Sequence, residues 1–342
     1  DPRHYAYTGT VGKLLPSFLV IGRESHVGEP FDGADANLLA AELIGDLSMN
    51  DELCDMVREQ TTPPPVTLHA TDLKVRYDVQ VPFAAWFYLN VLTLSTTPGE
   101  LLEKLRTRAE AALARVLARI DATQGRWNTR FSDEGYAPAP QRRQGSVLSY
   151  QELRASVVDR LGEEHVESAL AEAGANVPEG ADGRERSLRL ALHLWALSGR
   201  QGPAIVLYYS PPYYPHVAAV DCPLHQAIAE LAENHHDLNL AVREFYPFIS
   251  DMSYLRLDPG VDLAPLTANM PAWIDPGAPA RPGGYSLPLD QVRELGLPVV
   301  NLGPYGKAAH QRGERVLMSY SFGVLPQLIY ETLELLGQST ES

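Results

Sequence analysis

The chain has 342 residues, about twice the usual domain size, so we expect two domains. Its 45% hydrophobic and 21% charged residues exclude intrinsic disorder, a collagen-like chain and a disulfide scaffold. The 43 acidic residues outnumber the 28 basic ones and give a net charge of −15, whereas nucleic-acid binding needs clustered basic charge, so we expect no nucleic-acid partner.

The first half alternates strands and helices in the order of a ferredoxin-like fold. The expected elements are a strand (Ser17–Arg23), a helix (Ala34–Leu47), two strands (Val66–Lys74 and Phe83–Ser95) and a long helix (Pro98–Ile120). This is the split βαβ order with one strand outstanding, which Ser146–Tyr150 can supply. We therefore expect an antiparallel α+β unit with two helices on one face of its sheet.

The second half predicts a mostly parallel α/β sheet. The expected helices are Gln151–Ala173, Arg184–Ser198, Leu224–His235 and Leu317–Leu336, and the expected strands are Pro203–Tyr209, Leu240–Phe245 and Pro298–Leu302. Continuous apolar runs such as PAIVLYY are typical of strands buried on both faces, and alternation with helices favours parallel pairing.

Cysteine content and hydropathy bear on compartment and membrane. Cys54 and Cys222 are too few for a disulfide framework and favour a reducing, cytoplasmic compartment. The most apolar run, Val81–Leu94, is interrupted by Asn90 and is shorter than the ~20 residues that cross a bilayer. We therefore expect no membrane partner.

Two histidines follow apolar strands and enter glycine-bearing loops. His310 comes after the strand that ends at Leu302, and His26 follows the first strand. Ligands of α/β proteins bind at loops that leave the carboxyl ends of strands, and imidazole is a common metal ligand. From the spacing alone, each histidine can also be a solvent-exposed loop residue, and His310 can cap the helix that follows. The functional and the structural interpretation both stay open at this point.

The residues around both histidines resemble one known family. Gly22–Gly33, GRESHVGEPFDG, leads into an Ala/Leu-rich helix and is similar to the lid domain of the ArgE/DapE/aminoacylase metallopeptidases. Gly296–Val316, GLPVVNLGPYGKAAHQRGERV, resembles the family's C-terminal metal-ligand segment. Stretches that resemble its RocB-like, arginine-utilisation branch are Tyr7–Phe18, Asp72–Pro82 and Pro211–Pro215. The resemblance runs from about Tyr5 to Leu336.

The resemblance implies a division of the chain. Residues 13–150 would form a ferredoxin-like lid or dimerisation domain. Residues 1–12 and 151–342 would form the remaining, C-terminal part of a mostly parallel α/β zinc-hydrolase domain. It also implies a homodimer formed through the lid.

Roles for four residues follow from the same resemblance. In the family, the lid histidine helps to bind the substrate carbonyl oxygen, often in the active site of the other subunit, which implies a catalytic role for His26. His310 stands at the position of a metal ligand. Asp251 and Glu314 stand where residues near the substrate are expected.

The resemblance implies zinc and a small substrate as well. Members of the family use a pair of zinc ions to cleave an amide bond near a free carboxylate, so the substrate would be a small amino-acid-like, N-acyl or peptide molecule. The family's H-x-D pair, bridging Asp and Glu-Glu pair normally precede the lid. Here His235-His236-Asp237 follows an amphipathic segment and Glu163-Glu164 lies on a predicted helix, so neither replaces them. We therefore expect the C-terminal part of a longer protein, which by itself binds zinc weakly or not at all and is inactive. The alternative is a non-catalytic binding or dimerisation module, or an inactive relative of the family.

Overall fold

The computed structural model describes residues 3–131, 139 and 143–339. Their strands are β1 (His4–Thr10), β2 (Gly12–Ile21), β3 (Met56–Val57), β4 (Gln60–Thr61), β5 (Val66–Asp72), β6 (Ala84–Thr93), β7 (Ser146–Ser149), β8 (Ala204–Tyr214), β9 (Leu240–Tyr246), β10 (Asn301–Leu302), β11 (Gly306–Lys307) and β12 (Arg315–Val316). Their helices are α1 (Ala36–Leu47), α2 (Pro98–Phe131), α3 (Tyr150–Leu161), α4 (Glu163–Ala175), α5 (Gly183–Ser198), α6 (Pro223–Asn234), α7 (Ala264–Ala268), α8 (Leu289–Leu295) and α9 (Leu325–Ser339).

A five-stranded sheet in the order β5-β6-β2-β8-β7 forms the larger part of the fold. β2 runs antiparallel to both β6 and β8, and β7 runs parallel to β8. Together with α1 and α2, the strands β2, β5, β6 and β8 have the order and directions of a ferredoxin-like unit. The predicted α/β fold class with a ferredoxin-like sheet is therefore confirmed.

The strand that completes this unit differs from the expectation. Ser146–Ser149 is a strand, but it is short and lies at the edge of the sheet. The outstanding strand is β8, which the sequence interpretation placed in the second sheet. All of its first eight residues are buried, because it lies inside the sheet with helices over both faces, as its continuous apolar run requires. The boundary at residue 150 stays a prediction, since this sheet draws one strand from beyond it.

Helices cover both faces of the five-stranded sheet. On one face, α1 and α2 pack over Phe18 and Phe87, whose rings stack 4.6 Å apart. On the other face, α3, α4 and α5 pack over Leu19 and Val206. The single helix expected over Gln151–Ala173 is divided in two at Gly162, whose φ of +86° a side chain would strain. The helix α2 extends eleven residues past the expected end at Ile120, to Phe131.

A smaller sheet has the order β10-β1-β9. β1 and β9 are parallel, and β10 is antiparallel to β1. Its core contains Ala6, Ile228 from α6 and Leu328 from α9, so helices cover one face. Of its two strand pairs, β1–β9 is parallel, as predicted for this part, and β1–β10 is antiparallel, so the sheet is mixed rather than mostly parallel. None of the helices in the described part of the chain is long and apolar enough to span a membrane.

The two sheets are joined by the short link between β1 and β2. Thr10 forms an isolated bridge with Val217, and their backbones exchange hydrogen bonds of 2.9 and 3.0 Å. A Cβ atom on Gly12 would lie 2.6 Å from the Thr93 hydroxyl and 2.6 Å from the His216 backbone nitrogen. Only glycine fits there, so the start of β2 lies directly against the end of β6 and the segment that follows β8.

Candidate functional site

His26 lies on an exposed loop between β2 and α1, and hydrogen bonds hold that loop against the segment before β6. The Ser25 carbonyl accepts from Val81 N–H at 2.9 Å, and Val27 N–H donates to the Val79 carbonyl at 2.9 Å. His26 itself forms an isolated bridge with Gln80. The backbone on both sides of His26 is therefore held by the segment that leads into β6.

The base of this loop is closed by close backbone contacts. Arg23 and Ala34 exchange backbone hydrogen bonds of 2.8 and 2.9 Å. A Cβ atom on Gly22 would lie 2.3 Å from the Ala34 carbonyl oxygen, and one on Gly33 would lie 2.4 Å from the Ser25 hydroxyl. These two glycines permit the ends of the loop to meet.

The hydrogen bond to the His26 ring fixes which nitrogen carries the proton in the neutral imidazole. Gly28 N–H donates to Nδ1 at 3.0 Å, so Nδ1 acts as an acceptor and is unprotonated. The proton of the neutral ring therefore resides on Nε2, which meets no hydrogen-bond partner among the described residues. An exposed, preset N–H donor is the chemical feature that this loop offers to a ligand.

Asp251 and His310 lie on loops that leave the smaller sheet at opposite edges. Asp251 is exposed and begins a 3₁₀ turn after the carboxyl end of β9. His310 is exposed in the turn that joins β11 to β12, beyond the carboxyl end of β10. The two strands end at opposite ends of the sheet because β10 runs antiparallel to β1, whereas β9 runs parallel to it. A mostly parallel sheet, as expected from the sequence, had implied one shared edge.

Glu314 ends the same turn as His310. Its N–H donates to the Gln311 carbonyl at 3.1 Å, and the side chain is exposed. His310 has a φ of +60°, an uncommon conformation for a non-glycine residue. Across the described part of the chain, no hydrogen bond or ion pair joins any two of His26, Asp251, His310 and Glu314. Their predicted roles stay predictions.

Sequence reasoning missed a cleft of about 630 Å³ that runs along β1. Tyr5, Tyr7 and Tyr246 line it, and the Arg243 guanidinium lies 4.8 Å from the centre of the Tyr5 ring. Aromatic rings with hydroxyl groups suit polar ligands that carry an apolar part. The signal was present in the alternation of Tyr5 and Tyr7, since residues two apart on a strand share one face.

His4 is a buried titratable group in the wall of this cleft. Its ring stacks on Tyr320 with centroids 3.8 Å apart, and its Nδ1 meets no partner among the described residues. Burial lowers the pKa of His4 below its ordinary value, so the neutral imidazole is favoured at neutral pH. The ring is therefore a buried, neutral group whose Nδ1 has no hydrogen-bond partner among the described residues.

The described residues do not make up a metal centre. No group of three or more His, Cys, Asp or Glu side chains among them is placed to hold a metal ion. His310 offers one imidazole, whereas a zinc site needs three or four protein ligands. The residues present therefore do not fit a complete zinc site.

A buried polar junction lies between the two sheets. The Asp55 carboxylate accepts hydrogen bonds from the backbone N–H groups of Leu94, Ser95 and Thr96 at 2.7, 2.8 and 2.7 Å. Burial raises the pKa of this carboxyl group, but these three bonds outweigh that effect and lower it to about 2. Nearby, burial lowers the pKa of His216, against the opposing charges of Asp258 and Asp55.

These features define a mixed α/β protein in which a ferredoxin-like sheet adjoins a smaller sheet with a parallel strand pair. No protein-family model matches the chain. It is 37% identical over 346 residues to the uncharacterized protein YqjN of Bacillus subtilis (strain 168), an alignment that covers 100% of this chain and 60% of YqjN. It is 29% identical over 349 residues to protein RocB of the same strain, covering 99% of this chain and 59% of RocB. The predicted similarity to RocB is thereby confirmed.

The chain spans about 60% of the length of both relatives. Among solved structures, aminopeptidase PepT from Bacillus cereus ATCC 10987 is similar with a TM-score of 0.45 and 11% identity, covering 98% of this chain and 55% of that one.

Proposed function

We propose that this chain is part of a hydrolase of the peptidase and amidohydrolase class that cleaves an amide bond in a small amino-acid-like, N-acyl or peptide substrate. In this proposal the chain is placed in the ArgE/DapE/aminoacylase family and its RocB-like branch. The link to arginine utilisation rests on the sequence motifs and on the similarity to RocB.

One observation carries the proposal: the Nε2–H group of His26 is an exposed donor on a loop that hydrogen bonds to the segment before β6 hold in place. Amide hydrolysis places negative charge on the carbonyl oxygen in the transition state, and a positioned donor stabilises that charge. Removing one such donor costs about 3 kcal/mol in comparable sites. The Gly28 N–H bond to Nδ1 excludes the tautomer that would turn an acceptor outward.

The other site residues have lesser parts in this proposal. His310 supplies one imidazole to a zinc ion whose remaining ligands lie outside the described residues, and Asp251 and Glu314 contact the substrate. Because the described residues do not complete a zinc site, no step of the proposed reaction is assigned to a metal ion.

The test uses the protein produced from its native gene, assayed for release of amino acids from N-acetyl amino acids and dipeptides, arginine derivatives included. We expect His26→Ala to lower kcat about 100-fold with little change in KM, since the donor acts on the transition state. His26→Gln retains an N–H donor and should recover part of the loss. His165→Ala removes an exposed histidine of α4 and serves as the matched control.

Two results would contradict this assignment. Equal kcat values for the wild-type protein and His26→Ala would remove His26 from catalysis. Absence of hydrolysis by the wild-type protein on every amide substrate, at zinc saturation, would contradict the hydrolase itself.

A specific observation also favours a second role, self-association through the lid. β5 is an edge strand, and its Val66 and Leu68 side chains are 45% and 51% exposed. The neighbouring Val75 and Tyr77 are 98% and 92% exposed. An open edge with exposed apolar side chains is a ready template for pairing with another strand.

We propose that a second copy of the chain pairs with this edge. Leu68→Lys places a charge on the edge and should convert a dimer to a monomer in sedimentation velocity experiments. Leu295→Lys, at an exposed leucine of α8 outside this sheet, is the control. A wild-type protein that sediments as a monomer at all concentrations, or a dimer that survives Leu68→Lys, would contradict lid pairing.

A further inference from the structure

A second cleft of about 630 Å³ lies away from both sites described above. It is formed between the helices α3, α4 and α5, which cover the outer face of the five-stranded sheet, and the segment that follows α7. Its volume falls in the range of small-molecule sites. Apolar side chains form part of its wall, among them Leu170, Leu190 and Met270.

Arg186 of α5 is a buried cation in the wall of this cleft. Its residue surface is 2% exposed, and it forms no ion pair with any residue that the structure describes. One nitrogen, Nη1, donates to the carbonyls of Gly174 and Pro282 at 2.8 Å each. Nε is buried without a hydrogen-bond partner. Burying a charge without a counter-ion is costly, so this guanidinium lacks an expected partner.

The surroundings of Arg186 are shaped to admit its guanidinium. Gly174 lies within α4, and a Cβ atom there would lie 2.4 Å from Nη2 of Arg186. Glycine in a helix costs up to about 1 kcal/mol relative to alanine. Gly174 is in the last turn of α4, so the negative end of that helix offsets part of the positive charge. The Gly174 carbonyl accepts a hydrogen bond from Nη1, but Nε of Arg186 still has no partner.

A second cation lines the same cleft. Arg281 is exposed and makes no ion pair within the described ranges. Burial is the largest cause that lowers the pKa of Arg186, and the positive charge of Arg281 is the second. The two guanidinium groups are therefore near each other. Four acidic residues also line the cleft. Glu163 and Glu167 are paired with Arg154, Asp275 accepts a hydrogen bond from the Trp273 indole at 3.2 Å, and Asp159 makes no ion pair among the described residues.

We propose that this cleft binds a small carboxylate whose apolar body lies against the leucine and methionine wall and whose charge lies between Arg186 and Arg281. A guanidinium presents donors in a planar fork that matches the two oxygens of a carboxylate, and the exposed Arg281 can offer this fork to the anion. The anion supplies the counter-charge that Arg186 lacks among the described residues and separates the two like charges. This site is distinct from the proposed hydrolytic one and does not depend on it.

The test is isothermal titration of the native protein with benzoate and with benzamide, its uncharged isostere. We expect benzoate to bind at least about tenfold more tightly than benzamide. Arg281→Gln should weaken benzoate binding at least about tenfold without changing Tm, because Arg281 is exposed. Arg200→Gln, at another exposed arginine without an ion pair among the described residues, is the matched control.

Further variants separate this site from structural effects and from the hydrolase. Arg186→Lys retains the charge but removes the fork, and should weaken benzoate binding in a folded protein checked by circular dichroism. If that variant fails to fold, the Arg281→Gln result alone decides. His26→Ala should leave benzoate binding unchanged. Equal binding of benzoate and benzamide, no binding up to about 20 mM, or unchanged affinity in Arg281→Gln would each overturn the proposal.

Discussion

The carboxylate of Asp55 is expected to be a main determinant of stability at the junction of the two sheets. One of its oxygens accepts the backbone N–H groups of Leu94, Ser95 and Thr96, in the turn between β6 and α2. Its own N–H donates to the Thr62 hydroxyl at 2.9 Å. Asp55→Asn replaces the carboxylate by a neutral amide, so these donors lose a charged acceptor.

The magnitude follows from the pKa of Asp55. The value of about 2 lies below the ordinary 3.8, and each unit corresponds to about 1.4 kcal/mol. The ionised carboxylate therefore contributes about 2.4 kcal/mol at neutral pH. Because the folded-state pKa is depressed, this contribution is fully present above the unfolded value and is lost as the pH falls through the folded value. At pH 3 it should have fallen to about 1.3 kcal/mol.

The assay is urea unfolding of the wild-type protein and Asp55→Asn at pH 7 and pH 3, followed by circular dichroism. We expect a destabilisation of about 2–3 kcal/mol at pH 7 that roughly halves at pH 3. Asp51→Asn, at an exposed aspartate four residues earlier, should change the free energy of unfolding by less than about 0.5 kcal/mol. A destabilisation by Asp55→Asn that is the same at both pH values would refute the electrostatic reasoning.

Two further predictions concern buried polar groups. Tyr209→Phe removes the hydroxyl that donates to the Pro98 carbonyl at 2.6 Å. It should lower the free energy of unfolding in urea by about 1 kcal/mol. Tyr330→Phe, at an exposed tyrosine, should leave that free energy almost unchanged. Because burial lowers the pKa of His216, the unfolded chain binds more protons below pH 6.5, so stability should fall as the pH drops from there. His216→Gln should make the loss of stability with falling pH shallower, whereas the control His165→Gln should not. Equal slopes of unfolding free energy against pH in the wild-type protein and His216→Gln would contradict this prediction.

Most elements of the five-stranded sheet could be predicted because each has a local signal. The helix expected over Ala34–Leu47 is α1, and the strand expected over Phe83–Ser95 is β6. Periodicity reports which face of an element is buried, and that is settled within a few residues. It does not report the partner strand, so the pattern of Ser146–Tyr150 cannot show that β8, and not this segment, completes the ferredoxin-like unit.

The candidate site, too, could be predicted from the sequence only in part. The glycines around His26 indicate a loop. The structure shows the reason for Gly22 and Gly33, because a Cβ atom at either position would lie too close to a backbone or side-chain oxygen. The hydrogen bond from Gly28 to Nδ1 is local, yet only coordinates show that it forms and leaves Nε2 outward. The unpartnered guanidinium of Arg186 had no sequence signal, since an arginine on a helix is ordinarily exposed.

The sequence by itself determined the classes of element, the α/β character and the positions of the histidine-bearing loops, because these depend on hydrophobic period and on glycine and proline placement. Only the tertiary structure decided which strands pair and in which direction. The antiparallel β10 sends the loops of Asp251 and His310 to opposite edges, although each loop follows its strand as expected. Strand direction depends on contacts between residues far apart in the chain, and no local pattern records it.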